Sequence, residues 1–335
     1  WVQGFSVDGK VGDGSGPDAY IKKCVYVDGE DSELDGFVVE GLSIKNCGGE
    51  CVRLKNRVVN AKVLENTIEN CGIHDFDFES EKKNGEGIYI GTSNNQWVDD
   101  ETPDNCIDNL IEGNVIRTNG NECVDIKEGS TENIVQGNFC SDQLDEESGC
   151  YNVRGDDNII SRVDLSGKCC YNCVGAAVRI GGREVGGHLH GQGNNVYDNE
   201  FVDCEGSIKV MIKHQGSICG NTCDEGNCDP FGSAVGDVLE TWDQACGGSD
   251  GDGDDGDGDD DDDDDGDVGD DEDDDDGDDG DDDDDVGDDE GGDDDDGDDY
   301  GYSYDDDDDG EDNNGKGRRL WASRDRVLLR GGEIP

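Results

Sequence analysis

Four short stretches of the chain can be laid on one another: KCVYVD (23–28), ECVRLK (50–55), ECVDIK (122–127) and GCYNVR (149–154). Each places a cysteine before a run that alternates apolar and polar residues. Cys24 and Cys51 are separated by the same interval as Cys123 and Cys150, and the wider gap between Cys51 and Cys123 leaves room for intervening turns of the same kind. A second phrase, close to N-x-[IVF], recurs between them in GLSIKN (41–46), ENTIEN (65–70), GNVIRTN (113–119), GNFCSD (137–142), DNEFVDC (198–204) and GNTCDE (220–225). A short strand with a single apolar side cannot bury that side alone, so copies of it must stack. The repeat predicts an all-β chain, a right-handed parallel β-helix of about seven to nine coils between Gly4 and Gly226.

Within each strand the first and third residues are expected to point inward, as in Val52 and Leu54, Ile88 and Ile90, Val124 and Ile126, and Val178 and Ile180. The residue between them faces solvent. Asn66, Asn114, Asn138 and Asn199 read as corner residues and stacked amides, because Asn tolerates the left-handed backbone of a tight corner. Two longer excursions, 92–106 and 181–194, break the period, and insertions on one side of a solenoid shape a binding face.

The composition is split along the chain. Most of the formal charge of −65 sits in residues 250–312, almost wholly Asp and Gly. Such a run repels itself and has little to bury, so it reads as a disordered, solvating polyanionic tail, with diffuse binding of divalent cations or mineral as the alternative. It lacks the recurring apolar residue of a calcium β-roll and the Gly, apolar and closing Glu positions of an EF-hand. The segment 313–335 is basic with a small apolar cluster, and reads either as a short helix against an acidic partner or as an unstructured end. The division is therefore 1–249, 250–312 and 313–335. The acidity argues against a nucleic-acid partner, and no apolar stretch approaches the roughly 20 residues of a membrane span.

All 16 cysteines precede residue 247. Their even number and density point to disulfides, an oxidising compartment and a secreted, extracellular protein; the opening Trp1 is read as a leader already removed or as a fragment. Zinc-finger spacing is absent. The repeat suggests pairs at equivalent positions of successive coils: Cys24 with Cys51, Cys47 with Cys71, Cys123 with Cys150, and Cys204 with Cys228. Neighbouring strands lie about 4.8 Å apart, within reach of a disulfide.

Superposed coils also create two outward rows. One holds Tyr26, Arg53, Tyr89, Asp125, Asn152 and Arg179; the next holds Asp28, Lys55, Gly91, Lys127, Arg154 and Gly181. Cations and aromatic rings along one strip suit an acidic polysaccharide, a cell-wall or matrix glycan, with Arg53, Tyr89, Asn152 and Arg179 as its contacts. Lys127 and Arg154 fall on consecutive coils, about 5 Å apart in backbone, and a neighbouring permanent cation lowers a lysine's pKa towards that of a base. A uronic-acid lyase needs such a base for the C5 proton, a cation at the departing glycosidic oxygen, and neutralisation of the sugar carboxylate by a group such as a divalent ion on carboxylates, Asp125 among them.

The run ECVDIKEGSTEN (122–133), followed by NVRGDDN (152–158), AVRIGG (177–182) and GNNVYDNEF (193–201), resembles the catalytic stretch of polysaccharide lyase family 6 within the pectate-lyase-like superfamily. That family includes chondroitinase B and alginate lyases. The resemblance implies Glu122 as a Ca²⁺ ligand, Lys127 as Brønsted base and Arg154 as Brønsted acid. The chain departs from the family pattern at three places: Gly120 replaces a second calcium-binding Glu, Glu128 replaces the Ser after the lysine, and Gly155 replaces a His. A C5-epimerase would use the same proton abstraction.

Two other readings compete. Polygalacturonase-like enzymes pair D-D with H-G on neighbouring coils, which GDDN (155–158) and HG (190–191) imitate without an N-x-D one coil earlier; His188 and His190 read as mobile loop residues lacking a third metal ligand. The alternative of a different class is a non-catalytic extracellular rod that binds matrix or cations through its polyanionic tail.

Overall fold

A computed structural model of the protein describes residues 1–29, 32–77, 82–97, 103–162, 169–224, 229–246 and 327–329. Three parallel sheets run along a β-helix, and successive coils add one short strand to each. The first sheet stacks Val2–Gln3, Val38–Glu40, Lys62–Leu64, Leu110–Glu112, Ile134–Gln136, Ile159–Ser161, Asn195–Tyr197 and Ile218–Cys219. The second runs from Ser6–Asp8 to Thr222–Cys223 in the same manner. The third, which carries the cysteine-led repeats, stacks Val25–Asp28, Val52–Lys55, Ile88–Ile90, Val124–Ile126, Gly149–Val153, Ala176–Ile180 and Gly206–Val210.

The sheets close around a continuous core in which Val52, Leu54, Ile88, Ile90, Val124, Ile126, Val178 and Ile180 are all buried, so the alternation reads the inward face correctly. The corners have a two-residue device. Glu65, Gly113, Gly137, Asp198 and Gly220 adopt left-handed backbone, and the residue after each is an asparagine with ordinary φ. The left-handed position thus lies one residue before the expected one, which leaves the asparagine free to turn inward. Asn66 Nδ2 donates to Asn114 Oδ1 at 2.9 Å and Asn114 Nδ2 to Asn138 Oδ1 at 2.9 Å. Asn199 stacks on Asn221 in the same way, and Asn109, Asn133, Asn158 and Asn194 form a further ladder at another corner. Each amide satisfies backbone groups that a buried turn leaves without partners.

The disulfides follow a different rule from the expected one. The bonds are Cys24–Cys47, Cys51–Cys71, Cys123–Cys140, Cys150–Cys173 and Cys219–Cys246. In the first four, a cysteine opening a third-sheet strand reaches across the corner to a cysteine in or just after the second-sheet strand of the next coil. Their Cα atoms lie 5.5 to 6.0 Å apart. Equivalent residues of in-register strands point their Cβ atoms in parallel, about one strand spacing apart, whereas a disulfide needs Cβ atoms that converge to about 3.8 Å. Side chains from the two arms of a corner do converge. Cys204 carries a thiol, and Cys228 lies outside the described residues.

The acidic run 250–312 also lies outside the described residues. Of the segment 313–335, Val327–Leu329 is described, and it forms a strand rather than a helix, antiparallel to Val25–Val27 at the edge of the third sheet. The first coil would otherwise present a row of unpaired backbone N–H and C=O groups there. The excursion 181–194 is a hairpin: Glu184–Val185 pairs antiparallel with His188–Leu189 across Gly186 and Gly187, both with positive φ, as a tight primed turn demands.

Candidate functional site

The outward row of the third sheet has the expected register. Tyr26, Arg53, Tyr89, Asp125, Asn152, Arg179 and Lys209 are consecutive partners across seven strands. Their side chains leave the barrel, yet Arg53, Tyr89, Asp125 and Asn152 are buried rather than facing solvent. They pack against one another as a ladder of charge and ring. Arg53 pairs with Glu50 at 2.6 Å and lies 3.9 Å from the Tyr89 ring centre, whose other contact is Lys127 Nζ at 4.4 Å. The Arg53 guanidinium is thereby occupied in supporting Tyr89 rather than presented to a ligand. Arg179 donates to Asn152 Oδ1 at 2.8 Å, and Asn152 Nδ2 donates to Glu122 Oε1 at 3.2 Å.

Lys127 and Arg154 occupy equivalent positions on consecutive coils, one residue beyond the paired Ile126 and Val153. Both are buried and both reach Asp125 Oδ2, Lys127 through Nζ and Arg154 through Nη2 at 3.4 Å. Arg154 Nη1 also lies 3.5 Å from Glu128 Oε1, which Arg183 Nε approaches at 3.7 Å. The expected lowering of the lysine's pKa is reversed. Burial and Arg154 push it down, but Asp125, Tyr89 and Glu86 outweigh them and hold Lys127 charged, above its ordinary value.

One coil-to-coil column was missed in the sequence. Glu50, Glu86 and Glu122 each stand two residues before the first inward residue of their strand, and pair in register. Its signal was present in the phrases GGECV, NGEGI and GNECV, where the same Glu precedes Cys, Gly and Cys. Burial opposes the charge on Glu50, but Lys23 and Arg53 hold it ionised, below its ordinary value. The other two are raised: burial and Asp125 push Glu122 up to about 7, and burial and Glu122 push Glu86 well up. Carboxylate oxygens of Glu86, Glu122 and Asp125 lie within 4.8 Å of one another, all three residues being buried. Glu122 Oε2 and Asp125 Oδ1 have no hydrogen-bond partner. An all-oxygen donor set with orphaned carboxylate atoms and raised acids fits a hard divalent cation such as Ca²⁺.

The same geometry accounts for the departures from the lyase pattern. A Cβ at Gly120 would stand 2.7 Å from Cys71 O, so no glutamate fits there; the carboxylate that stands beside Glu122 is that of Glu86 on the preceding coil. At Gly155 a Cβ would stand 1.8 Å from Ser130 O, which excludes the histidine.

A cavity of about 540 Å³ is lined by Trp97, Gly129, Thr131, Asp156, His188 and His190 among others. His188 lies on the hairpin strand and His190 directly after it, and both ring nitrogens approach Asp156. Asp157, the second acid of the D-D pair, has left-handed backbone.

No protein-family model matches the sequence, and no curated protein matches it. Among solved structures, the chain is similar to an alginate lyase from Paenibacillus sp. str. FPU-7, with a TM-score of 0.49 and 19% identity over 68% of this chain and 78% of that one. A likeness at that level says nothing about activity.

Proposed function

We propose that the protein is a secreted polysaccharide lyase acting on an acidic, uronic-acid glycan along the third sheet. The observation that carries this reading is the meeting, across three successive coils, of three buried carboxylates from Glu86, Glu122 and Asp125 with Lys127 and Arg154. A divalent ion on those carboxylates would neutralise the uronate group that acidifies the C5 proton, and would weaken Asp125's hold on Lys127. Lys127, as the free amine, takes the C5 proton; the C–H electron pair forms the C4=C5 double bond, and the C4–O bond breaks with its electrons on the departing oxygen. Arg154 keeps its own proton, as guanidinium does, and stabilises that oxygen by charge until solvent protonates it. Asn152 and Arg179 orient the sugar, Tyr89 offers it a ring face, and Arg53 holds Tyr89 in place. The cavity lined by Trp97 and Asp156 offers a further surface for the glycan. The disulfides support an extracellular setting, and the acidic run supports diffuse cation binding.

One observation favours the rival reading of a non-catalytic rod: Lys127, Arg154 and Asp125 already neutralise one another in a buried cluster. The two are separated by absorbance near 235 nm, where unsaturated uronides absorb, during incubation with alginate, pectate and dermatan with and without Ca²⁺. The lyase reading expects a Ca²⁺-dependent rise on at least one glycan, abolished in Lys127→Ala. No rise on any of them, or an unchanged rate in the variant, assigns the cluster to structure.

A further inference from the structure

We infer that Asp156, His188 and His190 form a second metal site, of different chemistry from the carboxylate cluster, selective for a borderline first-row divalent cation with zinc foremost. The site is assembled from two elements. Asp156 stands in the turn after the strand Gly149–Val153; His188 lies on the second strand of the hairpin at 184–189 and His190 directly follows it. Alternation along that strand sets His188 and His190 on one side, with Leu189 turned the other way. The Gly186–Gly187 turn directs the strand back over Asp156.

Both distances match the ligand–ligand edge of a shared ion, although the shorter one also meets hydrogen-bond geometry. His188 Nε2 lies 3.2 Å and His190 Nδ1 3.4 Å from the same oxygen, Asp156 Oδ2. A charge-assisted N–H···O contact is shorter, about 2.7–2.9 Å. The edge between two ligands of a tetrahedral zinc bonded at about 2.0–2.1 Å is roughly 3.3–3.4 Å. His190 Nδ1 has no hydrogen-bond partner, although the residue is 95% buried (5% exposed) and aimed at this point. All three donor atoms lie within 4.8 Å of one another.

The supporting contacts are those a metal site requires. Asp156 Oδ1 accepts from the backbone N–H of Gly191 at 2.7 Å and Gln192 at 2.8 Å, which fixes the carboxylate and leaves Oδ2 for the ion. A side chain at Gly191 would collide with Gly182 N at 2.1 Å, so the chain there is committed to this path. Three protein ligands, two of them nitrogen, would leave a tetrahedral position for an exogenous ligand, and all three residues line the cavity that Trp97 also lines. This is the pattern of a zinc that binds an exogenous ligand rather than of a closed structural one. The oxygen-only cluster at Glu86 suits a hard cation; two imidazoles do not.

The test uses the full chain with Co²⁺ as a spectroscopic stand-in, titrated in a large excess of Ca²⁺ to occupy the acidic run. Expected is one equivalent of cobalt with the intense visible absorbance of four-coordination, displaced by Zn²⁺ and retained in Glu122→Gln. In His188→Ala, a substitution at a residue with a 65% exposed side chain, the band should vanish and the affinity fall at least about tenfold. Absence of the band in the unmodified chain, or its persistence in His188→Ala with unaltered affinity, overturns the site.

Discussion

Glu122 provides the most direct measurement of how the carboxylate column is balanced. Burial and Asp125 push it up to about 7 in the folded chain, from an ordinary 4.5. At about 1.4 kcal/mol per pH unit, that difference corresponds to roughly 3 kcal/mol. Below pH 4.5 the carboxyl is protonated in both folded and unfolded chains and costs nothing. Between 4.5 and 7 the unfolded chain releases the proton while the folded chain retains it, so stability falls as pH rises; above 7 the loss is complete. Glu122→Gln keeps the shape and the contact with Ser148 but cannot ionise. Without divalent ions, its stability relative to the parent should therefore grow from near zero at pH 4 to roughly 3 kcal/mol by pH 8. Removing this charge also eases Glu86, which shifts the difference further in the same direction. Urea unfolding across this range measures it, and taking the difference cancels titration of the acidic run. Millimolar Ca²⁺ should restore the parent at pH 8 and leave the variant less affected. Two pH curves that run parallel would refute the claim that Glu122 is held protonated by its neighbours.

Two further outcomes follow from the corners. Asn114→Ala leaves the buried Asn66 N–H without its acceptor and removes the donor to Val63 O and Asn138 Oδ1, so about 2–4 kcal/mol of stability should be lost; a urea midpoint equal to the parent's contradicts the ladder. A non-reducing peptide map should recover Cys24–Cys47, Cys51–Cys71, Cys123–Cys140 and Cys150–Cys173, and finding Cys24 linked to Cys51 instead would disprove the corner-crossing rule.

Much of this was legible in the sequence because parallel in-register stacking makes position in the repeat equal to position in space. Superposing ECVDIK on GCYNVR suffices to place Lys127 beside Arg154 and Asp125 beside Asn152. What alignment cannot convey is direction between faces. The cysteines pair across a corner, between residues that are not equivalent in the repeat. The outward row is buried because its own charges and rings fill the space above the sheet, as Arg53 and Lys127 do on either side of Tyr89. The two histidines come from the excursion 181–194, whose length follows no period, and meet Asp156 from the turn after Gly149–Val153. Glu86 is masked for a plainer reason: glycine follows it where cysteine follows Glu50 and Glu122, so the cysteine repeat does not mark the column.

The covalent links divide the coils unevenly. Bonds at Cys24–Cys47 and Cys51–Cys71 rivet the first three windings into one block, and those at Cys123–Cys140 and Cys150–Cys173 rivet the fourth, fifth and sixth into another. Between the windings of Ile88–Ile90 and Val124–Ile126 no cystine crosses among the described residues, since Gly87 stands where Cys51 and Cys123 stand in their own turns. Glu86 and Glu122 confront each other across that seam. An ion lodged between the two acids would serve that seam as the clasp a cystine provides on either side of it.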